Sequence, residues 1–159
     1  MKILVDINHP AHVHFFRNPI RLLTEAGHEV AVTSRDKEMA VPLLDALGIS
    51  HHMLSVQKKS GGLVALGREL VARDLALYRV VRAFKPNAMA AIGGTFIAHV
   101  GFVTRVPSLV FYDTENASLQ NAITYPFAHR VIVPRCYAAW TPRSAVRYPG
   151  YHELSYLHP

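Results

Sequence analysis

The sequence predicts an α/β fold built on a doubly wound, mostly parallel sheet, and three observations lead to this prediction. Short apolar segments alternate with segments of helical periodicity along most of the chain. The apolar segments are hydrophobic nearly throughout, as strands that are buried on both faces of a sheet must be. The chain has 159 residues, 50% of them hydrophobic, which is enough to enclose one sizeable core.

The N-terminal residues predict the first strand and the first helix. Residues 3–7 form an apolar run with branched side chains, and a turn at residues 8–10 ends it. Apolar residues then recur at steps of three and four, as on one face of a helix, until Gly27. Pro19 lies inside this stretch and predicts a kink or a later helix start, because proline removes a backbone hydrogen bond.

Two strands and a short helix come next. Residues 28–34 alternate between apolar and polar side chains, and residues 49–56 form a third strand-like run. Between them, residues 37–47 have helical spacing, with Asp36 as a candidate N-cap and Gly48 as the stop.

The longest helical pattern follows a basic, glycine-containing loop at residues 58–62. Its apolar stripe consists of Leu63, Leu66, Leu70, Leu77, Val81 and Phe84. The basic residues around it are Lys58, Lys59, Arg68, Arg73, Arg79 and Arg82. We expect the stripe to face the core and the basic residues to lie mostly off it, on a solvated face. Nucleic-acid binding is not predicted, because it requires stacking aromatic residues among the basic ones.

The second half of the chain predicts three more strands with a helix between each pair. The strands are residues 88–92, 108–112 and 130–133, and the helices are residues 96–104 and 117–128. We assign residues 1–134 to one domain. Residues 135–159 lack periodicity and are predicted to be an irregular basic and aromatic segment that leads to a second domain.

The charge balance favours anionic partners. Seventeen Lys and Arg against eleven Asp and Glu give a net charge of +6, which attracts phosphate esters, nucleotides or an anionic lipid surface. Cys136 is the one cysteine, so the chain can form no internal disulfide. The sequence contains neither a signal peptide nor a run of roughly 18 apolar residues, and we expect a cytoplasmic location.

Polar loops follow three of the predicted strands. They are residues 8–14 after the first strand, residues 93–95 after the fourth and residues 113–116 after the fifth. Ligands of doubly wound sheets bind beyond the carboxyl ends of the strands. We therefore expect the three loops to line one binding crevice.

The first loop carries three histidines, His9, His12 and His14. Amides at the start of a helix bind anions, and an imidazole can act as a base toward a hydroxyl. His9 and His14 are equally suited to capping, packing or facing solvent, so His12 is the main functional candidate. No metal site is predicted, because no further cysteine or carboxylate lies at ligand spacing nearby.

The second loop carries two glycines. Gly93 and Gly94, before Thr95, either allow a phosphate or a sugar to approach the backbone or serve only a tight turn. They match neither a dinucleotide-binding motif nor an ATP-binding loop, so no cofactor is predicted.

The third loop carries carboxylate and amide side chains. Glu115 and Asn116 lie in it, and Gln120 and Asn121 follow one turn further on. Such groups suit hydrogen bonds to the hydroxyls of a sugar or a peptide, and they also suit helix capping.

Two end segments and the three loops resemble a known family. The segments VDINHPAHVHFFRNPIRLL (residues 5–23) and YPGYHELSYLHP (residues 148–159) are similar to the GT-B-like family catalogued as domain of unknown function 354. The loops also resemble the N-terminal acceptor domain of GT-B glycosyltransferases, in particular the peptidoglycan N-acetylglucosaminyltransferase that acts on lipid-linked muramoyl-pentapeptide. The resemblance implies a Rossmann-like domain and a second domain that holds most of a nucleotide-sugar.

Residue roles follow from the loops and this resemblance together. His12 is the candidate base or ligand of an acceptor phosphate, and Asp6 would steer its proton. The candidate acceptor-binding residues are Asn8, His9, Gly93, Gly94, Thr95, Glu115, Asn116 and Asn121. The glycine amides would hold an anionic group, and the third loop would bind hydroxyls. Residues 8–11 replace most glycines of the transferase loop, which leaves less room for a diphosphate and implies a different acceptor.

Three hypotheses of function result. The first is the acceptor-binding half of a GT-B-type glycosyltransferase, inactive alone, in which a sugar passes from a nucleotide-sugar to an anionic or hydroxyl-bearing acceptor. The second is half of an enzyme similar to the nucleotide-sugar 2-epimerases, which share the two-domain plan. The third is a non-enzymatic module that binds an anionic sugar, a further copy or a partner domain. Peripheral contact with an anionic membrane is a lesser alternative.

Overall fold

The computed structural model describes residues 1–35, 39–54 and 62–157, with the backbone alone at residues 63 and 64. The strands are β1 Lys2–Ile7, β2 Glu29–Ser34, β3 His52–Met53, β4 Ala88–Ile92, β5 Ser108–Phe111, β6 Arg130–Pro134 and β7 Ala145–Tyr148. The helices are α1 Pro10–Glu25, α2 Ala40–Ala46, α3 Gly62–Phe84, α4 Thr95–Thr104 and α5 Ser118–Thr124. Within these residues the strands form one sheet in which each neighbouring pair is parallel. The predicted α/β fold is confirmed.

The order of the strands reverses between β1 and β4. The sheet runs β3-β2-β1-β4-β5-β6-β7, so the chain builds outward from β1 in one direction and then from β4 in the other. The connections that leave β1 and β4 therefore diverge to opposite sides. Such a switch point opens a crevice beyond the carboxyl ends of the two strands.

Two apolar cores cover the two faces of the sheet. Side chains alternate along β1, so Leu4 packs with α3 and α4 on one face, whereas Val5 and Ile7 pack with α1 and α2 on the other. All three side chains are 0–2% exposed. The strand is consequently apolar apart from Lys2 and the buried Asp6.

Helix α1 begins immediately after the turn that ends β1. Its N-cap is His9, whose Nδ1 accepts a hydrogen bond from the amide of Ala11 at 3.2 Å. Pro10 suits the first helical position, where an amide would have no partner within the helix. Pro19 lies inside the helix, so the alternative of a later helix start is wrong.

Several predicted elements are shorter in the structure. Helix α5 ends at Thr124 and not at residue 128, and β3 comprises two residues. The Asp36 cap, residues 55 and 56 of the predicted third strand and residues 58–61 of the basic loop lie outside the described residues.

The C-terminal segment contains two elements that the periodicity does not predict. They are β7, which pairs in parallel with β6, and a 3₁₀ helix at His152–Tyr156. The strand is four residues long and lies at the edge of the sheet, where Val146 is 48% exposed. It therefore carries no run of buried apolar residues for a pattern to detect. The sheet continues beyond residue 134.

The apolar stripe of α3 is only partly a core stripe. Leu77 and Val81 are buried as predicted, but Leu66 is 58% exposed and Arg73 is only 7% exposed. The expectation of a solvated face therefore fails for Arg73. The first half of α3 lies along the crevice and not over the sheet, because Leu66, Leu70 and Arg73 all line that crevice.

Candidate functional site

The switch point between β1 and β4 contains a crevice of about 770 Å³. The three predicted loops all contribute to its lining: Asn8, His9 and His12 from the first, Gly93 and Thr95 from the second, and Asp113 and Thr114 from the third. Segments that are more than 100 residues apart in the chain thus converge on one space, as the carboxyl-end rule predicts.

A hydrogen-bond network fixes the first loop. Asp6, at 3% exposure, accepts hydrogen bonds from Nδ2 of Asn8 at 2.7 Å and from Oγ1 of Thr33 at 2.8 Å. The amide of Asn8 in turn donates to Nδ1 of His12 at 3.4 Å, which is long for such a bond. Asp6 therefore orients the loop that carries His12 through its hydrogen bond with Asn8.

Burial dominates the electrostatics of Asp6. Loss of solvent raises the pKa of this carboxyl, and the hydrogen bonds from Asn8 and Thr33 oppose the rise in pKa, as does the charge of Arg73. The carboxyl lies beneath the first loop, against a small void and not in the lining of the main crevice.

Backbone conformation and close packing account for the two glycines. The sequence alone cannot distinguish these structural roles from a role in ligand binding. Gly93 has φ +57°, and its amide donates to the carbonyl of Phe111 at 2.8 Å. That amide is therefore engaged in the sheet and does not face a ligand, contrary to expectation. A Cβ on Gly94 would lie 2.8 Å from both Ala91 and Ile97, so this glycine permits α4 to pack closely on β4.

The third loop divides between the crevice and the neighbouring segment. Oε1 of Glu115 accepts a hydrogen bond from the amide of Ala138 at 2.7 Å, and Glu115 is not in the crevice lining. Asn116 is exposed outside the lining, and Oδ1 of Asn121 is buried without a partner among the described residues. The structure therefore does not bring Glu115, Asn116 or Asn121 together with His12.

Asp113 of the third loop lines the crevice, where Glu115 was expected. Its Oδ2 lies 3.1 Å from Nδ1 of His152, although the contact does not have the geometry of a hydrogen bond. His152 holds the pKa of the Asp113 carboxyl below its usual value. The remaining exposure of Asp113, 39% of its side chain, leaves the carboxylate accessible to a ligand.

Helix α3 supplies a charged wall that sequence reasoning missed. Nη2 of Arg35, at the end of β2, forms an ion pair with Oε1 of Glu69 at 3.1 Å. Arg73 lies one turn further along α3, with its guanidinium 4.8 Å from the centre of the Phe96 ring. The signal was in the spacing: Arg73 is three residues after Leu70 and four before Leu77, so it occupies a position of the apolar stripe.

The crevice is lined by both polar and apolar side chains. Among the residues that the structure describes, no three His, Cys, Asp or Glu side chains lie close enough together to hold a metal ion. None of the described helices is both long and apolar enough to cross a bilayer.

Solved structures with a similar fold include GT-B glycosyltransferases and UDP-GlcNAc 2-epimerases. MurG of Acinetobacter baumannii has a TM-score of 0.68 at 18% identity, over 89% of this chain and 44% of that protein. The UDP-GlcNAc 2-epimerase of Neisseria meningitidis, solved with UDP-GlcNAc, has a TM-score of 0.67 at 16% identity, over 84% of this chain and 40% of that protein. The glycosyltransferase SsfS6 of Streptomyces sp. SF2575 has a TM-score of 0.60 at 15% identity, over 94% of this chain and 56% of that protein.

At these identities the likeness establishes a GT-B-like, Rossmann-like fold. The uncharacterized protein MJ0665 of Methanocaldococcus jannaschii is 25% identical over 137 residues, which are 84% of this chain and 39% of that protein. The chain thus spans about two fifths to just over half of the length of these similar proteins. The sequence profile described as "Protein of unknown function (DUF354)" matches residues 1–150, and the chain belongs to this family.

Proposed function

We propose that this chain is the acceptor-binding half of a GT-B-type glycosyltransferase. The observation that supports the proposal is the convergence of three polar loops on one crevice at the switch point of a GT-B-like sheet. The nucleotide-sugar would bind mainly to a second domain, so the 159-residue chain would be inactive alone.

The reaction requires a base near the acceptor hydroxyl. The hydroxyl oxygen attacks the anomeric carbon, the bond from that carbon to the diphosphate oxygen breaks, and the nucleoside diphosphate leaves with the electron pair. The hydroxyl proton passes to the base. His12 lines the crevice and is the proposed base.

The tautomer of His12 decides whether it can accept that proton. A neutral ring that accepts the Asn8 amide at Nδ1 carries its own proton on Nε2, and Nε2 is then a donor. To act as a base at Nε2, the ring must carry its proton on Nδ1 and give up this contact. The contact is long, at 3.4 Å, so its loss costs little.

Acceptor hydroxyls would bind to the third loop. Asp113 and Thr114 line the crevice, and the Asp113 carboxylate is both ionised at neutral pH and accessible. We therefore assign hydroxyl binding to Asp113 and Thr114 in place of Glu115 and Asn116, which are not in the crevice lining.

The test is sugar transfer by the complete gene product, assayed with a panel of UDP-sugars and phosphorylated or polyhydroxylated acceptors. Release of UDP and formation of a glycosylated product are measured together by mass spectrometry. Product formation that falls about 100-fold or more in His12→Ala supports the proposal. No transfer with any donor and acceptor, from a folded protein, contradicts it.

A 2-epimerase is the second candidate, because the TM-score to the Neisseria meningitidis epimerase equals that to MurG within 0.01. An epimerase needs no acceptor. Conversion of a UDP-sugar to its 2-epimer without acceptor, detected by chromatography, would replace the transferase proposal by the epimerase one.

A further inference from the structure

We propose that Arg73 forms the floor of a subsite for a phosphoryl group, with Arg35 as its second cation. The inference rests on the proposed function, because it states which chemical group of the donor or acceptor enters the crevice. It assigns the anion to Arg73 of α3 and to Arg35, which follows β2, and not to the glycine amides.

Among the described residues, Arg73 is buried and has no hydrogen-bonding partner. The residue is 7% exposed, and it lines both the crevice and the small void above Asp6. Its recorded interactions with described residues are the contact with the Phe96 ring and Coulomb interactions, none of which is a hydrogen bond. A guanidinium has five N–H donors, and Arg73 lines the crevice without a hydrogen bond to any described residue. A ligand in the crevice can satisfy them.

The acidic groups near Arg73 are already engaged. Glu69 is paired with Arg35 at 3.1 Å, and both oxygens of Asp6 accept hydrogen bonds from other side chains. The pKa of Arg73 is lowered first by burial and next by the charge of Arg35. An anion bound between Arg35 and Arg73 would offset the repulsion between their charges. The carboxylates of Glu69 and Asp6 do not offset it fully.

The arrangement favours a phosphoryl group over a singly charged anion. The Arg73 guanidinium lies 4.8 Å from the centre of the Phe96 ring, and the planar fork of a guanidinium can bind two oxygens of one group. Arg35 and His12 line the same space and can add charge or a donor toward a third oxygen. A phosphate ester or a pyrophosphate offers three or more such oxygens and up to two charges, whereas a carboxylate offers two oxygens and one charge.

The test is an NMR titration of the 159-residue chain that follows the Nε–H signal of Arg73 and, in every variant, the backbone amide signal of Phe96, which lies beside Arg73 in the crevice lining. Inorganic phosphate, pyrophosphate and acetate are added at constant ionic strength, with chloride as the reference salt. We expect phosphate and pyrophosphate to shift these signals saturably and acetate to bind at least about tenfold more weakly. Arg73→Gln should lower phosphate affinity at least about tenfold, and Arg73→Lys should retain part of it.

Arg82→Gln is the matched control, since Arg82 is exposed on the same helix and outside the crevice. Its affinity for phosphate should equal that of the unchanged chain. Arg35→Gln provides a second variant in case Arg73→Gln does not fold. The proposal is overturned if phosphate shifts the signals no more than chloride does, if acetate binds as tightly as phosphate, or if Arg82→Gln loses as much affinity as Arg73→Gln.

Two further ligands identify the source of the group. UDP and a sugar 1-phosphate are titrated in the same way, and either one binding in an Arg73-dependent manner supports the subsite. Tighter binding of UDP assigns the group to the donor, and tighter binding of the sugar phosphate assigns it to the acceptor. Phosphate binding without any sugar transfer would support the subsite and contradict the proposed function. Sugar transfer without phosphate binding would contradict only the subsite.

Discussion

Oδ2 of Asp113 lies 3.1 Å from Nδ1 of His152, and the His152 side chain is completely enclosed. The imidazole packs 4.8 Å from the ring of Phe15 and 6.1 Å from that of Phe111, and it stacks on Tyr148. A carboxylate of the crevice is thus held by a residue from the C-terminal 3₁₀ helix. The position of Asp113 therefore depends on the docking of that helix against α1 and β5.

The first prediction concerns Asp113→Asn. Because His152 lowers the folded-state pKa of Asp113, its stabilisation is present above the unfolded pKa of about 4 and is lost as the pH falls through the folded value. We expect Asp113→Asn to lower the free energy of unfolding by about 1 kcal/mol at pH 7, a modest value because solvent screens this half-exposed group. Urea unfolding at pH 7 and pH 3 measures it.

The exposed pair Asp45 and His51 provides the control. Oδ1 of Asp45 lies 3.2 Å from Nε2 of His51, but the Asp45 side chain is 68% exposed. Asp45→Asn should therefore change stability by less than about 0.5 kcal/mol. A deficit of Asp113→Asn that is as large at pH 3 as at pH 7 would show that charge is not its cause.

Strong local signals made most of the fold predictable. Strand β1 is buried on both faces and is apolar apart from Lys2 and Asp6, and α1 repeats apolar residues at helical steps. Strand β7 lacks both signals: it is short, lies at the sheet edge and leaves Val146 half exposed. Its place is fixed by pairing with β6, which is a tertiary contact that periodicity does not encode.

The crevice was predictable from topology, but its chemistry was only partly so. Polar loops at strand ends must meet in a parallel sheet, and His12 and Gly93 do line the same space. The sequence could not show that the Gly93 amide binds Phe111, or that Glu115 binds the amide of Ala138. The burial of Arg73 was not predicted, because a charged residue is expected on the solvated face even where its spacing places it in the apolar stripe.

The second prediction concerns the pH dependence of Asp6. Burial raises the folded-state pKa of this carboxyl, so its ionisation opposes folding above that pKa, and the opposition disappears as the carboxyl takes up a proton. The unchanged chain should therefore gain stability relative to Asp6→Asn as the pH is lowered from 7 toward the unfolded pKa of about 4. Chemical unfolding of both proteins across this range measures the difference.

The sign of the Asp6 effect is opposite to that of Asp113, and the two variants control for each other. If acid simply destabilised the fold as a whole, the stability differences of Asp6→Asn and of Asp113→Asn from the unchanged chain would both change in the same direction. A stability difference between the unchanged chain and Asp6→Asn that is independent of pH would contradict the raised pKa.

The third prediction separates the two roles of His12. Glutamine can donate a hydrogen bond to an anion but cannot take up a proton, whereas alanine can do neither. If His12 is the base, His12→Gln and His12→Ala should both lower kcat of the complete gene product by about 100-fold or more. Equal KM values for the acceptor in the two variants would accompany this result.

His14→Gln is the control for this pair. His14 packs against Tyr156 with ring centres 5.7 Å apart and is not part of the crevice lining. The kcat of His14→Gln should stay within about twofold of that of the unchanged enzyme. A His12→Gln enzyme that retains most of its kcat would assign His12 to anion binding and would exclude it as the base.

The fourth prediction tests why the second loop contains Gly94. An added Cβ would lie 2.8 Å from both the Cβ of Ala91 and Cγ1 of Ile97, and Ile97 is fully buried. Gly94→Ala must therefore displace α4 from β4, and we expect it to lower the free energy of unfolding by about 1 to 3 kcal/mol. Gly67→Ala is the matched control, since the space around Gly67 in α3 is open and alanine favours a helix interior by about 0.5 to 1 kcal/mol. Urea unfolding of both variants should give changes of opposite sign, and a Gly94→Ala protein as stable as the unchanged chain would show that α4 does not pack this closely on the sheet.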